Sequence, residues 1–244
     1  QGVPEKQARE GAVGLGFRVP MIIASPWSRG GKVCSQLFDH TSTLQFLETF
    51  INQKYKKNIH LSNISAWRRT ICGDLTSAFS PFHPKEEQIK FIDRNPFLET
   101  IYSAKFKEDP GNFKELSDQQ IFEAKKTGDY SKLMSQQEIG RRVSTALPYE
   151  LNVSGNLIDK SKFRISMKAG NAICGKKSAG SAFTVYAPEN YKVNSENVEV
   201  CKNWSFAVKA GDEIQYEWPI EAFDHGKYLL HLHGPNGFYR EFSG

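Results

Sequence analysis

The chain has 244 residues, with 32 Lys and Arg against 27 Asp and Glu, so its formal charge is +5. This length suffices for one or two domains with their own hydrophobic cores. The sequence contains no run of about 18 apolar residues, so no transmembrane helix is predicted. The charge is mild and dispersed, which argues against a nucleic-acid-binding stripe. The densest basic clusters, among them Arg68 and Arg69, are predicted to be solvated surface.

Four cysteines are spread over the chain without a CxxC pair, which disfavours a zinc knuckle or a thioredoxin-like motif. Cys174 and Cys201 both fall in the C-terminal third. A disulfide between these two is one of the three connectivities that four cysteines allow in an exported protein, and the sequence leaves it open.

The N-terminal segment predicts a strand, a loop and a helix. Residues 14–25 form a short apolar run bounded by Gly and Pro, which is typical of a buried strand in an α/β sheet. Ser42 and Gln45 have the spacing of a capping box and predict the start of a helix. Leu44 and Phe50 recur on its predicted apolar face. One strand cannot make a sheet, so this segment is interpreted as the last element of a larger α/β domain.

The middle of the chain is predicted to hold short helices on a charged arm. A helix near Trp67 is expected to stop at Gly73. Residues 103–142 are rich in charge and poor in apolar side chains, which indicates a surface-running arm with one or two helices. A second capping box, Ser117 to Gln120, marks the start of one of them.

After Leu147 the apolar residues alternate with a period of two, which predicts short β-strands separated by Gly-containing turns. No Trp lies between Cys174 and Cys201, so the predicted all-β sandwich is only immunoglobulin-like. The seven predicted strands are marked by Tyr149/Leu151/Val153, Phe163/Ile165/Met167, Phe183/Val185, Val198/Val200, Trp204/Phe206/Val208, Ile214/Tyr216/Trp218 and Tyr228/Leu230/Leu232.

Three stretches resemble one family. Residues 18–35 (RVPMIIASPWSRGGKVCS), followed by DHTST at 39–43, look like the end of the catalytic domain of bacterial phosphocholine-preferring phospholipases C. Residues 63–79 (NISAWRRTICGDLTSAF) are similar to the segment that follows in those enzymes. LPYEL at 147–151 and GPNGFYREFSG at 234–244 resemble the borders of their small C-terminal β domain. The family belongs to an alkaline-phosphatase-like phosphoesterase superfamily.

The resemblance implies an α+β chain of three parts. Residues 1–102 would be the C-terminal remnant of an alkaline-phosphatase-like α/β domain, residues 103–146 a charged linker with short helices, and residues 147–244 the immunoglobulin-like sandwich. The parent protein would be a secreted or periplasmic phospholipase C that cleaves phosphatidylcholine or sphingomyelin and releases phosphocholine. A divalent metal is possible in that parent enzyme, whereas this fragment would carry no cofactor and would itself be inactive.

The resemblance also implies partners: the N-terminal catalytic part of the same polypeptide, the phospholipid head group and a peripheral membrane contact, with no nucleic acid. An alternative from another class is a non-catalytic β-sandwich module that binds lipid, carbohydrate or a neighbouring domain. An acid phosphatase relative is disfavoured by the similarity over residues 63–79.

Asp39 and His40 are the candidate catalytic residues, because a carboxylate and an imidazole after a buried strand can support a metal or a phosphate. The simpler alternative, which we favour, is that Asp39 or its neighbours cap the helix and His40 orients the loop. Trp27 is the candidate substrate-binding residue, since choline's quaternary ammonium binds ring faces.

No metal ligands are assigned. His225, His231 and His233 offer a three-histidine zinc cluster as a less favoured reading, since residues two apart on a strand share a face. The favoured reading is that His233 supports the adjacent turn.

Overall fold

A computed structural model describes residues 15–16, 18–82, 93–108, 115–129, 142–195 and 197–244. It combines helices with two antiparallel sheets, which confirms the α+β class. The α-helices are α1 (His40–Tyr55), α2 (Ala66–Ile71), α3 (Asn95–Ala104) and α4 (Asp118–Thr127). The strands are β1 (Leu151–Ile158), β2 (Lys162–Ala169), β3 (Ser181–Lys192), β4 (Val198–Val208), β5 (Glu213–Pro219), β6 (Leu229–His233) and β7 (Tyr239–Ser243). Short 3-10 helices span Thr76–Ala78, Gly175–Lys177, Ile220–Ala222, Asp224–Gly226 and Pro235–Gly237.

The seven strands form a three-stranded sheet of order β1-β2-β5 and a four-stranded sheet of order β4-β3-β6-β7. We call residues 151–243 the two-sheet region. Alternate side chains of both sheets turn inward and share one hydrophobic core, because successive residues of a strand point to opposite faces. That core contains Ile165, Met167 and Trp218 from one sheet and Phe183, Val185, Leu230 and Leu232 from the other.

The strands differ from the predicted set at two places. The segments predicted around Val200 and Trp204 form the single strand β4. A register shift between Ala187 and Asn190 of β3 faces Cys201, whose φ of 56° is left-handed. Because the bulge changes the inward-facing phase of β4, Trp204 and Phe206 pack against the core, whereas Val198 and Val200 are more than half exposed. Strand β7 was not predicted, because most of its side chains are exposed and its sequence shows no clean alternation.

The buried strand predicted for residues 14–25 is wrong over the described residues 18–24, which form no strand. Val19 and Met21 are exposed, and Ile22 is 93% exposed. A strand needs a hydrogen-bonded neighbour. Neither sheet of the described chain extends to this segment. Apolar character alone therefore does not produce a strand here.

Helix α1 begins at His40 rather than at Ser42, because the capping box is built one turn earlier. Asp39 is the N-cap and Ser42 is the third helical residue, whose side chain accepts from the Asp39 backbone N–H. The predicted helix near Trp67 is confirmed as α2, which ends at Ile71. The capping box between Ser117 and Gln120 is confirmed at the start of α4.

By compactness the chain divides into one unit of Gln1–Pro84 with Ser144–Gly244 and a second unit of Lys85–Val143. In the first unit the Thr145 N–H donates to the Val33 carbonyl at 2.9 Å, and the Leu37 N–H donates to the Tyr149 hydroxyl at 2.9 Å. Gly180 allows the two segments to approach closely, because a Cβ at this position would lie 2.3 Å from the Thr70 carbonyl oxygen. The N-terminal segment is thus packed on one end of the two-sheet region.

In the second unit, α3 and α4 present apolar side chains to solvent. Helix α3 has no buried residue. Of α4, only Ala124 is buried among the residues described. Phe97, Leu98, Ile101, Tyr102 and Phe106 are exposed along and just after α3.

Candidate functional site

The candidate carboxylate Asp39 is held by short local hydrogen bonds. Its Oδ1 accepts from the Thr41 backbone N–H at 2.8 Å and from the Thr41 hydroxyl at 2.6 Å. Its Oδ2 accepts from Arg68 of α2, in an ion pair in which the Asp39 side chain is almost fully buried. Both oxygens therefore serve the helix start and the link between α1 and α2.

The electrostatics of this site favour the charged form of the Asp39 carboxylate and the protonated form of the Cys72 thiol. Burial would raise the pKa of Asp39, but hydrogen bonds from Thr41 and Arg68 outweigh it and lower that pKa below its usual value. Burial, reinforced by the Asp39 charge, raises the pKa of the neighbouring Cys72 thiol to about 12. Because the thiolate is the nucleophile, this shift argues against a nucleophilic role for Cys72.

A second buried ion pair joins the same two helices. Glu48 accepts two hydrogen bonds of 2.8 Å from the Arg69 guanidinium, which also donates to the Leu61 carbonyl at 2.9 Å. The Arg69 hydrogen bonds are the main cause that lowers the pKa of Glu48 to about 2. The prediction that these arginines are solvated surface is therefore wrong for Arg69, whose side chain is 22% exposed. Arg68 keeps 37% of its side chain exposed while it pairs with the buried Asp39 carboxylate.

The structure places the other two candidate residues on exposed positions. His40 is the first residue of α1 and follows Asp39, whose carboxylate already accepts hydrogen bonds from Thr41 and Arg68. Trp27 lies in a loop, where its carbonyl accepts from the Ser80 N–H at 2.8 Å. Its indole is 55% exposed, so the ring face is accessible to a ligand. Glu48, Arg68 and Arg69 were missed as site residues. The polar i, i+3, i+6 row of α1 was a signal for Glu48.

A shallow cavity of about 260 Å³ is lined by residues of β1, β2 and β5, most of them outward-facing, and by Arg240 of β7. Its lining is polar and carries both charge signs. It consists of Asn152, Val153, Ser154, Ser166, Lys168, Glu213 and Arg240. The pattern of alternation pointed only to the inward face of these strands, so the sequence did not indicate this cavity.

Comparison with known proteins places the chain in a family. Residues 143–244 match the model of the bacterial phospholipase C C-terminal domain, and residues 1–53 match that of the phosphoesterase family. A non-hemolytic phospholipase C of Burkholderia pseudomallei is 36% identical over 96% of this chain. A hemolytic phospholipase C of Pseudomonas aeruginosa is 33% identical over 95%. The chain belongs to the bacterial phospholipase C family.

Within the bacterial phospholipase C family, this chain spans 29% of the B. pseudomallei relative and 30% of the hemolytic P. aeruginosa relative. A solved β-glucosidase from Listeria innocua covers 46% of the chain with a TM-score of 0.23, a likeness too weak to bear on the fold. Among the helices that the structure describes, none is long and apolar enough to cross a membrane.

The phosphoesterases of this family are typically metal-dependent. A metal site in this chain would need several His, Cys, Asp or Glu side chains close together. No three His, Cys, Asp or Glu side chains of the described residues come together as a metal site. The zinc cluster of His225, His231 and His233 is therefore not formed. His231 instead lies 3.6 Å from a Glu241 carboxylate oxygen, and His233 packs against tyrosine rings, among them that of Tyr186. The described residues of this phospholipase C relative do not fit a metal centre.

The sequence left open a disulfide between two cysteines of the C-terminal third. Cys174 and Cys201 are not joined by a disulfide in the described chain.

Replacing Asp39 by alanine is expected to destabilise the first unit by about 1–2 kcal/mol, the usual effect of removing an N-cap. Asp39→Asn keeps a capping oxygen and should lose less, whereas His40→Ala, on an exposed position, should change the unfolding free energy by less than about 0.5 kcal/mol. Urea denaturation followed by tryptophan fluorescence measures all three. If His40→Ala had the larger effect, the capping role given to Asp39 would be wrong.

Proposed function

We propose that this chain is the C-terminal part of a phospholipase C that hydrolyses phosphatidylcholine or sphingomyelin to diacylglycerol or ceramide and phosphocholine. The observation that carries this proposal is the alignment with proteins named phospholipase C, which runs through α1, α2 and the two-sheet region alike. In this hydrolysis, a water oxygen bonds to phosphorus as the bond from phosphorus to the glycerol or ceramide oxygen breaks. The proton of water ends on the released alcohol.

The residues of this chain would support that reaction rather than perform it. Asp39 is a positioning residue in this proposal, since its carboxylate is occupied by Thr41 and Arg68. It fixes the start of α1, and with it His40, relative to α2. Trp27, with its exposed ring, is the residue placed to contact a choline head group.

The finer description of the fold is part of the same proposal. The orders β1-β2-β5 and β4-β3-β6-β7 around one core support an immunoglobulin-like sandwich over residues 147–244. The phosphoesterase match supports an alkaline-phosphatase-like origin for residues 1–102, with residues 103–146 as the linker. A lipid outside the cytoplasm as substrate fits a secreted or periplasmic enzyme.

Helix α3 supports a peripheral contact of this enzyme with a zwitterionic phospholipid surface. Its apolar residues follow helical spacing from Phe97 and Leu98 to Ile101 and Tyr102, whereas Glu99, Thr100 and Ser103 lie opposite. An amphipathic helix with an exposed apolar side can lie in a membrane interface. The three basic residues Arg94, Lys105 and Lys107 are balanced by Asp93, Glu99 and Glu108, which suits a surface without net charge.

The chain is therefore expected to sediment with phosphatidylcholine vesicles, and Phe97→Ser/Ile101→Ser should abolish most of this binding. Leu157→Ser, an exposed apolar position in the two-sheet region, is the matched control and should bind as the parent does. Equal binding of the α3 variant and the control would refute the contact at α3.

The second candidate function is a non-catalytic binding module, which the polar cavity on the outer sheet face favours. Lys168 and Arg240 beside Ser154 and Ser166 offer donors for a small anionic or hydroxyl-rich ligand. Calorimetric titration with phosphocholine and with glucose tests this, and Lys168→Ala/Arg240→Ala should remove any heat observed. Without binding of either probe, the module function loses its support.

The proposed activity is tested with a chimera in which this chain replaces the aligned 234 residues of the B. pseudomallei relative. The chimera should release phosphocholine from phosphatidylcholine or sphingomyelin vesicles above the rate without enzyme. A folded chimera that releases none, while the parental relative does, would contradict the proposed function.

A further inference from the structure

Helix α1 is packed with its polar side inward. Ser42, Gln45 and Glu48, each less than 9% exposed, are its buried residues. Leu44, Leu47 and Phe50 have the same i, i+3, i+6 spacing on another side and are 36–47% exposed. In a helix of a globular protein the apolar stripe normally faces the core. We call Leu44, Leu47 and Phe50 the reversed face.

This orientation is fixed by polar contacts of the inward side. Glu48 pairs with Arg69 through two hydrogen bonds, and Thr49 donates to the Asp74 carboxylate at 3.1 Å. Asp39 caps the helix and pairs with Arg68. Turning α1 over would leave a buried arginine without its carboxylate, which is strongly destabilising. The reversed face therefore stays outward in the first unit.

The comparisons indicate what covers this face. The phosphoesterase family model matches residues 1–53 and so includes Leu44, Leu47 and Phe50. The relatives extend far beyond the aligned region, since this chain spans 29% of the B. pseudomallei protein. In α/β domains, helices cover the faces of a sheet with their apolar side. We propose that the reversed face is the docking surface for the remaining phosphoesterase portion of the enzyme, an inference that rests on the proposed function.

The test is a differential change in thermal stability. Leu47→Glu/Phe50→Glu places two charges on the reversed face, where in the isolated chain they remain in solvent. The variant should therefore shift the Tm of the isolated chain by less than about 2 °C, as exposed substitutions do. In the chimera with the B. pseudomallei phosphoesterase portion, the same change should lower the Tm by about 5 °C or more, because the charges become buried at the contact.

The matched control is Leu157→Glu/Val198→Glu, which alters two exposed apolar residues of the two-sheet region. It should have the same small effect on the isolated chain and on the chimera. A reversed-face variant that shifts both proteins equally would overturn the proposal. The proposal would also be overturned if the isolated chain self-associated, or bound phosphatidylcholine vesicles, and only the reversed-face variant abolished that association or binding. Those outcomes assign the face to a second copy or to a membrane.

If the chimera does not fold, footprinting of the isolated chain and of the intact relative tests the proposal instead. Hydroxyl-radical labelling should modify Leu47 and Phe50 in the isolated chain and should leave the aligned side chains of the intact B. pseudomallei relative protected. Labelling of both would overturn the proposal. Neither readout uses activity, so a failure of phosphocholine release leaves the docking result to be judged independently.

Discussion

Arg69→Leu is expected to lower the free energy of unfolding of the first unit by about 3–5 kcal/mol, because it leaves a buried charge without its partner. The partner is the nearly buried carboxylate of Glu48, which Arg69 binds through two hydrogen bonds of 2.8 Å. Arg69 also donates to the Leu61 carbonyl, so this hydrogen bond is lost as well. Trp67 lies two residues away on α2, and its fluorescence in a urea titration reports the unfolding of this part.

The control for Arg69→Leu is the double variant Glu48→Leu/Arg69→Leu. Replacing both members of a buried pair by apolar residues is often close to neutral, so the double variant should be more stable than Arg69→Leu alone. A double variant less stable than the single one would show that the ion pair is not the source of the effect.

The same pair gives a pH dependence of stability. The pKa of Glu48 is about 2 in the folded chain, below its ordinary value of 4.5, mainly because of the Arg69 hydrogen bonds. A depressed folded-state pKa contributes stability above the unfolded pKa, and that contribution is lost as the pH falls from about 4.5 towards 2. Arg69→Leu should remove this acid-induced loss, which urea titrations across that pH window measure.

Trp218→Ala is expected to destabilise the two-sheet region by about 3–5 kcal/mol, the range for truncating a large buried aromatic residue. Trp218 is fully buried, and its ring meets those of Tyr216 at 4.7 Å and Trp204 at 5.5 Å between centroids. Edge-to-face contacts of this kind add to the burial of apolar area. The alanine leaves a cavity that these rings cannot fill without losing their mutual contacts.

Two further variants separate size from polarity. The Trp218 indole N–H is buried, and no acceptor for it is found in the described chain. Trp218→Phe removes this unsatisfied donor and keeps most of the ring, so its effect should be much smaller than that of alanine. Trp27→Ala, on an exposed ring, should cost less than about 0.5 kcal/mol. If Trp218→Ala and Trp27→Ala were equally mild, the assigned core would be wrong.

The two-sheet region was largely predictable because its strands alternate cleanly. Phe163, Ile165 and Met167 all face the core, as their spacing indicated. The bulge at Cys201 and the exposed strand β7 were not predictable, since a register shift depends on the partner strand and an exposed edge strand shows no apolar alternation.

The N-terminal segment was less predictable, because several of its apolar side chains are not packed against other residues of the first unit. The run around Met21 and Ile22 predicted a buried strand, and the spacing of Leu44 and Phe50 predicted an inward helix face; all four side chains are exposed. The candidate carboxylate was found from its place before a helix, whereas its Arg68 partner lies 29 residues away and only the fold brings them together.

We propose that the groups that react in the phospholipase C lie outside this chain. Phosphocholine release from phosphatidylcholine vesicles by the purified 244-residue chain, measured with and without chelator, tests this proposal. We expect no release in either condition. Release that a chelator abolishes would contradict it, because the reacting groups would then lie within these residues.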